Sequence, residues 1–430
     1  MSRTVVSVID IKRDLRGAVA RAMERHAAGG IIKGKPVYIK VNAVDFQPYA
    51  YTSPEVAGNI IDYCKQAGAS HVYLMDNCTR GNVTRVVFYV SGLEKVAREK
   101  GAEPLYLDEG PKAKIKLPHT GHVVTINRHI KDIIDDRDNY CYICAPKMKT
   151  HTQAVMTLGI KCQYGLLSHD SRLADHNWKL HRKLADIYSV IQPDLTVVDG
   201  TVATIHGHYA PKSLQKECLV PFNLLIAGRD TLAVDTICSR IFGYSVDEVP
   251  HLAEARDMGL GCADLSSIEV EGEPLSRFKK RYPWEIYDAF PHDVEIIRGS
   301  ERCCTEGCEG NTLSVLQLLY LDFGGKGGFS IFMGKGIEQA QIERARGRVF
   351  VCGPCAYEEA YPRLVERLGR RNVFYTTECN DLQGVIASLN KLMKVMALKM
   401  VPASPLITGS LLLKAKLHRS DARTPSLWPF

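Results

Sequence analysis

The chain of 430 residues carries 55 Lys and Arg against 48 Asp and Glu, a net charge of +7; with 45% hydrophobic and 24% charged residues it has a globular composition, which excludes wholesale disorder and collagen-like repeats. Seven basic residues and a single acid, Asp421, fall in 391–430, so that segment holds +6 and the rest of the chain only +1. A body this close to neutral does not coat nucleic acid, whose partners spread their basic residues along a stripe or groove.

The first ten residues show no charged segment followed by an apolar run, so no secretory leader is expected. The longest uncharged apolar stretch, Met400 to Leu413, is broken by Pro402 and Pro405 and is shorter than the about 20 residues that cross a bilayer. Fourteen cysteines without an export signal point to a reducing, cytoplasmic setting, where thiols serve as metal ligands or redox groups.

In chain order, Val37–Asn42 reads as a buried strand, and Ser53-Pro54-Glu55 opens a helix with Ser53 as N-cap and Pro54 at its first position, running to Ala67-Gly68. His71–Met75 is the next strand. Tyr140–Cys144, Leu195–Val198 and Leu224–Ala227 follow as strands, with helices over Asp175–Ile191 and Thr231–Phe242. Short apolar runs alternating with helical patterns predict an α/β fold with a largely parallel sheet. From Cys303 to Gly336 cysteine and glycine become dense, then Gly347–Cys352 reads as a strand and Tyr361–Leu368 as a helix. The expected organisation is an α/β domain over 1–295, a smaller cysteine-rich α/β domain over 296–390, a cleft between them, and a tail over 391–430. In the tail, Leu392, Met393, Val395, Met396, Leu398 and Met400 interleave with Lys391, Lys394 and Lys399 as a basic amphipathic helix, suited to peripheral contact with an anionic membrane or an acidic partner. Deleting 400–430 is expected to leave the fold and any metal content intact.

Open parallel sheets bind ligands beyond the carboxyl ends of their strands. That rule selects Asn42, Asp76 and Arg80, the loop Lys147, Lys149 and His151 with Lys161 downstream, and Asp199; His206 and His208 alternate as in an extended loop and could both face a pocket. Three cationic groups in one loop suit an anionic substrate, and crowding lowers a lysine pKa toward a base. His169, His176 and His181 do not share a helical spacing of three or four, and are assigned to a helix surface. The phosphate-loop, GxGxxG, HExxH and GxSxG motifs are absent. Gly324–Gly328 reads as a lid or a close backbone approach.

Cys303, Cys304, Cys308, Cys352, Cys355 and Cys379 form a second set. Cys352-Gly353-Pro354-Cys355, paired with Cys304 and Cys308, offers four thiolates to an iron–sulfur cluster, with Cys303 and Cys379 as substitutes; zinc or dithiol redox chemistry is the alternative. Cys141 and Cys144 sit inside a strand at i and i+3, on opposite faces, and are read as structural.

Tyr51-Thr52-Ser53-Pro54-Glu55-Val56, Ala145–His151 with Thr157–Lys161, Val197-Val198-Asp199-Gly200 and Ala227-Gly228-Arg229-Asp230 with Ala233-Val234-Asp235 resemble the domain of unknown function 362 family over about residues 1–290. Many members of that family carry iron–sulfur clusters, often in a ferredoxin-like module. The CxxCxxCxxxCP run of such a module is absent here, so a cluster, expected as [4Fe–4S], would use the irregular set. A more distant similarity is to the nickel-pincer lactate racemase superfamily: His151 and Lys161 stand ten residues apart, as its His and Lys do, and Asp76–Arg80 is similar to its substrate loop. Arg80 is followed by Gly81 where that family has Pro, and the Gly-Arg-Lys context of its cofactor-linked lysine is missing. The resulting expectation is a metal-dependent oxidoreductase acting on a small anionic substrate. It would exchange electrons with a redox partner protein and bind no nucleic acid. An isomerase or racemase built on the same cleft, or a non-enzymatic electron carrier, is the alternative.

Overall fold

The structure is a computed structural model that describes residues 4–425; the last five residues of the predicted tail lie outside the described residues. It is a mixed α/β fold with strands β1 (Thr4–Asp10), β2 (Pro36–Val41), β3 (His71–Asp76), β4 (Glu103–Tyr106), β5 (Lys112–Lys116), β6 (Val123–Asn127), β7 (Cys141–Ala145), β8 (Lys147–His151), β9 (Val155–Thr157), β10 (Leu195–Thr204), β11 (Leu219–Val220), β12 (Leu224–Gly228), β13 (Ile268–Gly272), β14 (Val294–Arg298), β15 (Phe329–Met333), β16 (Arg348–Cys352) and β17 (Val373–Tyr375). The large sheet runs β13-β1-β12-β10-β7-β2-β3-β4, with β11 and β8 also paired to β10 and β9 to β8. From β10 to β4 every neighbour along that path is parallel, whereas β12 runs against both β1 and β10.

Helices cover both faces of this sheet, which is why its central strands are nearly continuous apolar runs. In β2, Val37, Ile39 and Val41 pack against Val19, Met23, Ile60 and Ile61 of the helices Leu15–Arg25 and Pro54–Gln66. Tyr38 points the other way, into the cluster with Leu184 and Ile187 of the helix Leu180–Val190, the alternation that a strand imposes. The same alternation puts Cys141 in the first cluster and turns Cys144 to the opposite side.

Four strands, β14-β15-β16-β17, form a second, wholly parallel sheet. The helices Gly310–Phe323 and Leu382–Leu392 cover one face, and Gln339–Arg344 with Pro354–Leu368 the other. The glycine run 324–328 is a close approach: a Cβ on Gly327 would collide with the Asp293 carboxylate.

Three expectations need correction. Residues 147–151 form a strand paired with β9 and β10, and both lysines are buried with partners, Lys147 on Asp199 and Lys149 on Ala50 O. The helix expected from Asp175 begins only at Leu180, after a left-handed Asp175 (φ 54°), and His169, His176 and His181 are buried instead of lying on a helix surface. The basic amphipathic helix expected from Lys391 to Met400 does not form as one piece. The tail's first helix ends at Leu392, the chain turns at Lys394 (φ 56°), and Leu392, Met393 and Val395 enter the core of the second sheet. The helix Pro405–Leu417 then crosses to the large sheet's side, where Leu411 and Ala415 pack on Val83 and Val86. Backbone bonds fasten the segment beyond this helix: Gly110 N to His418 O (2.9 Å), Asp421 N to Asp108 O (2.8 Å) and Gly81 N to Arg423 O (2.8 Å). No described helix is long and apolar enough to cross a membrane.

His251, on the helix Pro250–Asp257, is fully buried, and neither ring nitrogen has a hydrogen-bond partner among the described residues. An unpaired buried polar group costs about 1–3 kcal/mol, so His251→Leu should raise stability by that amount in urea unfolding. Burial holds the imidazole well below its ordinary pKa. The unfolded chain therefore binds the extra proton first, wild-type stability falls as pH drops below the unfolded value of about 6.5, and the variant's advantage should grow with acidification.

Candidate functional site

A cavity of about 150 Å³ lies beyond the carboxyl ends of β2 and β3, walled on its far side by Asn311, Ser314 and Asn380 from the region of the second sheet. Lys40 and Asp76, the last charged positions of those strands, form its floor. Lys40 Nζ donates to Asp76 Oδ1 (2.5 Å) and Val41 O (3.0 Å) and lies 3.5 Å from Cys162 Sγ. Asp76 also accepts from Asn77 N (2.6 Å) and Ala43 N. Its carboxylate is thereby occupied as a clamp on two loops. Gly165 passes directly over this pair; a Cβ there would lie 2.7 Å from both Asp76 Oδ1 and Lys40 Nζ.

Lys161 and Cys162 are presented by the short helix Gly159–Cys162, whose first two amides donate to Asp235 (2.8 Å each). Lys161 makes no hydrogen bond or ion pair among the described residues, and burial among other cations lowers its pKa to about 8. A hydrogen bond from Cys144 brings the Cys162 thiol down to about 7, with the Lys40 charge adding to the effect. Arg80 donates to His169 O (3.1 Å) and Asp170 (3.3 Å), but its Nε is buried without a partner. Arg172 is spent on the carbonyls of Leu167, Cys78, Asn77 and Gly165.

The histidines of the wall are neutral. His151 stacks on His208 (ring centroids 4.7 Å apart), and its Nδ1 accepts from Gln153 N (3.1 Å), which leaves Nε2 as its free nitrogen. Burial holds both rings well below the ordinary histidine range. His176 donates from Nδ1 to Glu306 O (2.7 Å), and burial lowers its pKa to about 3. Three cavity-lining groups, Asn42 Oδ1, Arg80 Nε and His208 Nδ1, are buried polar atoms without a partner among the described residues. Such orphans are uncommon in folded proteins and mark places where a ligand or water completes the bonding. Lys40 is neutralised by Asp76, and Asp45, shifted by burial to about 6, keeps most of its charge at neutral pH; Lys161, Arg80 and Arg172, which line the same space, outnumber it, so the cavity suits a small anion.

Of the residues selected from sequence, Asn42, Asp76, Arg80, His151, Lys161 and His208 line this cavity. Lys147, Lys149, Asp199 and His206 are not among its lining residues. Lys147 Nζ is bound to Asp199 (3.0 Å) and Thr201 Oγ1 (3.0 Å), and Lys149 Nζ donates to Ala50 O. His206 is paired through Nδ1 with Glu285 O (2.9 Å). Sequence reasoning missed Lys40, Cys162, Tyr164, Arg172 and His176. Only Lys40 carries a signal, as the one charge in an apolar strand.

The thiol set lies against the same cavity. Gln153 Nε2 donates to Glu306 O (3.0 Å) and Gly307 O (3.2 Å), so two cavity residues, Gln153 and His176, hold the loop between Cys304 and Cys308. A Cβ on Gly307 would stand 3.5 Å from both Cys304 Cβ and Cys379 O, and one on Gly353 would stand 3.2 Å from Cys308 Cβ. These glycines let three chain segments converge. Cys303, Cys304, Cys308, Cys355 and Cys379 are free and half-buried. Cys352 differs: it is buried in the core, with its sulfur 3.1 Å from Thr312 Oγ1 and 3.6 Å from Thr376 Oγ1. Among the described residues no three His, Cys, Asp or Glu side chains are arranged to hold a metal ion.

Residues 37–240 match the family model described as Domain of unknown function (DUF362). Thylakoid-associated protein sll1697 of Synechocystis sp. is 26% identical over 144 residues, 31% of this chain and 41% of that protein, so the chain spans about two fifths of that relative's length. A crystal structure of a protein from Thermotoga maritima aligns with a TM-score of 0.35 at 12% identity, over 77% of this chain and 73% of that one.

Proposed function

From the premise that residues 37–240 belong to the DUF362 family, we propose that this chain is a metal-dependent redox protein acting on a small anion held in the cavity. The observation that supports it best is the contact between the cavity and the cysteine loop: Gln153 and His176 line the one and bind the carbonyls of the other. No three of these thiols are arranged around an ion as they stand, so Cys304, Cys308, Cys355 and Cys379 would hold the metal group only once its binding draws their segments together, with Cys303 beside them and Cys352 left to the core. A thiolate-bound iron–sulfur cluster supplies one-electron transfer when bound, whereas zinc in the same residues would be structural. Lys161 and Arg80 bind the anion, and His151, whose Nδ1 accepts from Gln153 N, presents Nε2–H to it as a hydrogen-bond donor. Electrons would come from a redox partner protein in the cytoplasm, the compartment in which so many free thiols stay reduced.

Protein purified without oxygen should be brown and contain iron and acid-labile sulfide in comparable amounts. Cys308→Ser and Cys355→Ser should lose both, while Cys352→Ser should keep them. Colourless protein with stoichiometric zinc would remove the redox reading.

A second reading, an isomerase that moves a proton within a bound anion, is favoured by one observation: an unpaired lysine with a pKa near 8 stands in the same cavity as a neutral histidine. Competitive labelling with acetic anhydride should then give Lys161 an apparent pKa near 8, against about 10.4 for a free lysine. An ordinary value would deny it the part of base.

A further inference from the structure

We propose that the helix Pro405–Leu417 docks the protein on an anionic lipid bilayer surface through its outer face. At 3.6 residues per turn, Thr408, Leu411 and Ala415 form the stripe buried against the body. Leu406, Leu413 and Leu417 form a second stripe on the opposite side, 87%, 59% and 73% exposed. The helix is therefore apolar on both faces, and only one of them is covered. Lys414 and Lys416 fall on either flank of the outer stripe. Half of the exposed large apolar side chains among the described residues lie between Met396 and Leu417, a concentration that isolated surface leucines do not produce.

Charge identifies the occupant. Residues 382–420 contain no Asp or Glu, while Lys391, Lys394, Lys399, Lys414, Lys416 and Arg419 fall within them. A leucine stripe with a lysine on each flank matches a bilayer interface, where the leucines enter the acyl boundary and the ammonium groups stay among anionic headgroups. A second copy of the chain would set lysine against lysine, and a nucleic acid has no use for the leucines. Docking here is independent of the cavity's chemistry, although the adjoining segment reaches both surfaces: Leu398 is exposed, while Met400 lines the cavity.

The test is co-sedimentation of the full chain with vesicles of phosphatidylcholine alone and of phosphatidylcholine containing phosphatidylserine. The protein should pellet with the second and be released by salt. Lys414→Gln/Lys416→Gln should bind phosphatidylserine vesicles about thirtyfold more weakly, from roughly 1 kcal/mol per lysine near such a surface. Leu413→Glu/Leu417→Glu should stay in the supernatant with an unchanged unfolding curve, because both side chains face solvent; should it unfold, the lysine variant decides. Wild-type protein that ignores phosphatidylserine vesicles overturns the proposal, as does either variant pelleting like wild type. A lipid-free dimer in sedimentation equilibrium that Leu413→Glu/Leu417→Glu dissolves would assign the face to a second copy and overturn it as well.

Discussion

Lys147→Met is expected to destabilise the protein by about 3–5 kcal/mol in guanidinium unfolding at neutral pH, because it strands the Asp199 carboxylate in the core. Asp199 is fully buried and accepts from Ser53 N (2.7 Å), Thr201 N (3.0 Å), Thr201 Oγ1 (2.6 Å) and Lys147 Nζ (3.0 Å). Burial pushes its pKa up, but the Lys147 charge and these bonds outweigh it and hold it below the usual carboxylate range. Without the lysine the balance reverses, and the folded-state pKa rises above the unfolded one. The folded variant then binds the extra proton, so its deficit should shrink as pH falls toward the acid range. Adding Asp199→Asn, which removes the charge but keeps an acceptor for Ser53 N, should restore most of the loss. A catalytic role for Lys147 would instead show as lost turnover at unchanged stability.

Ending the chain at Met400 should cost roughly 5 kcal/mol and raise hydrogen exchange at Gly81 and Gly110. This reverses the expectation that the sequence raises for the tail. Leu411 and Ala415 would be lost and Val83 and Val86 uncovered, and burial of a leucine or valine is worth about 1.5–3 kcal/mol. The exposed Arg423–Asp170 pair (3.0 Å) adds at most about 1 kcal/mol, so Arg423→Ala alone should be mild. A truncated chain with wild-type unfolding and exchange would show that the helix merely rests on the surface.

Strands buried on both faces announce themselves as apolar runs, and those over 37–42, 71–75, 224–227 and 347–352 are legible to within a residue or so. Lys147–His151 misleads because its composition is that of a loop; Asp199 and Ala50 O, the partners that make it a strand, lie far away in sequence. The site is legible where the strand-end rule applies, at Asp76 and Arg80, and where two groups with unusual neighbours stand close, at His151 and Lys161. Lys40 is legible only as the one charge in an apolar run, a signal that names no partner, and Cys162 is hidden by its many fellow cysteines. Asn311 and Asn380 reach the cavity only through the packing of the second sheet, which no local pattern encodes.

The bond from Gly81 N to Arg423 O constrains the order in which the molecule can fold. The loop that carries Arg80 gains this partner only when a segment far along the chain has packed against it, so the large sheet can form before the bond is made. Long-range closures of this kind come late in folding. Until that segment docks, the loop bearing Arg80 lacks a backbone anchor, and the ordering of one cavity wall depends on residues with which it shares no local pattern.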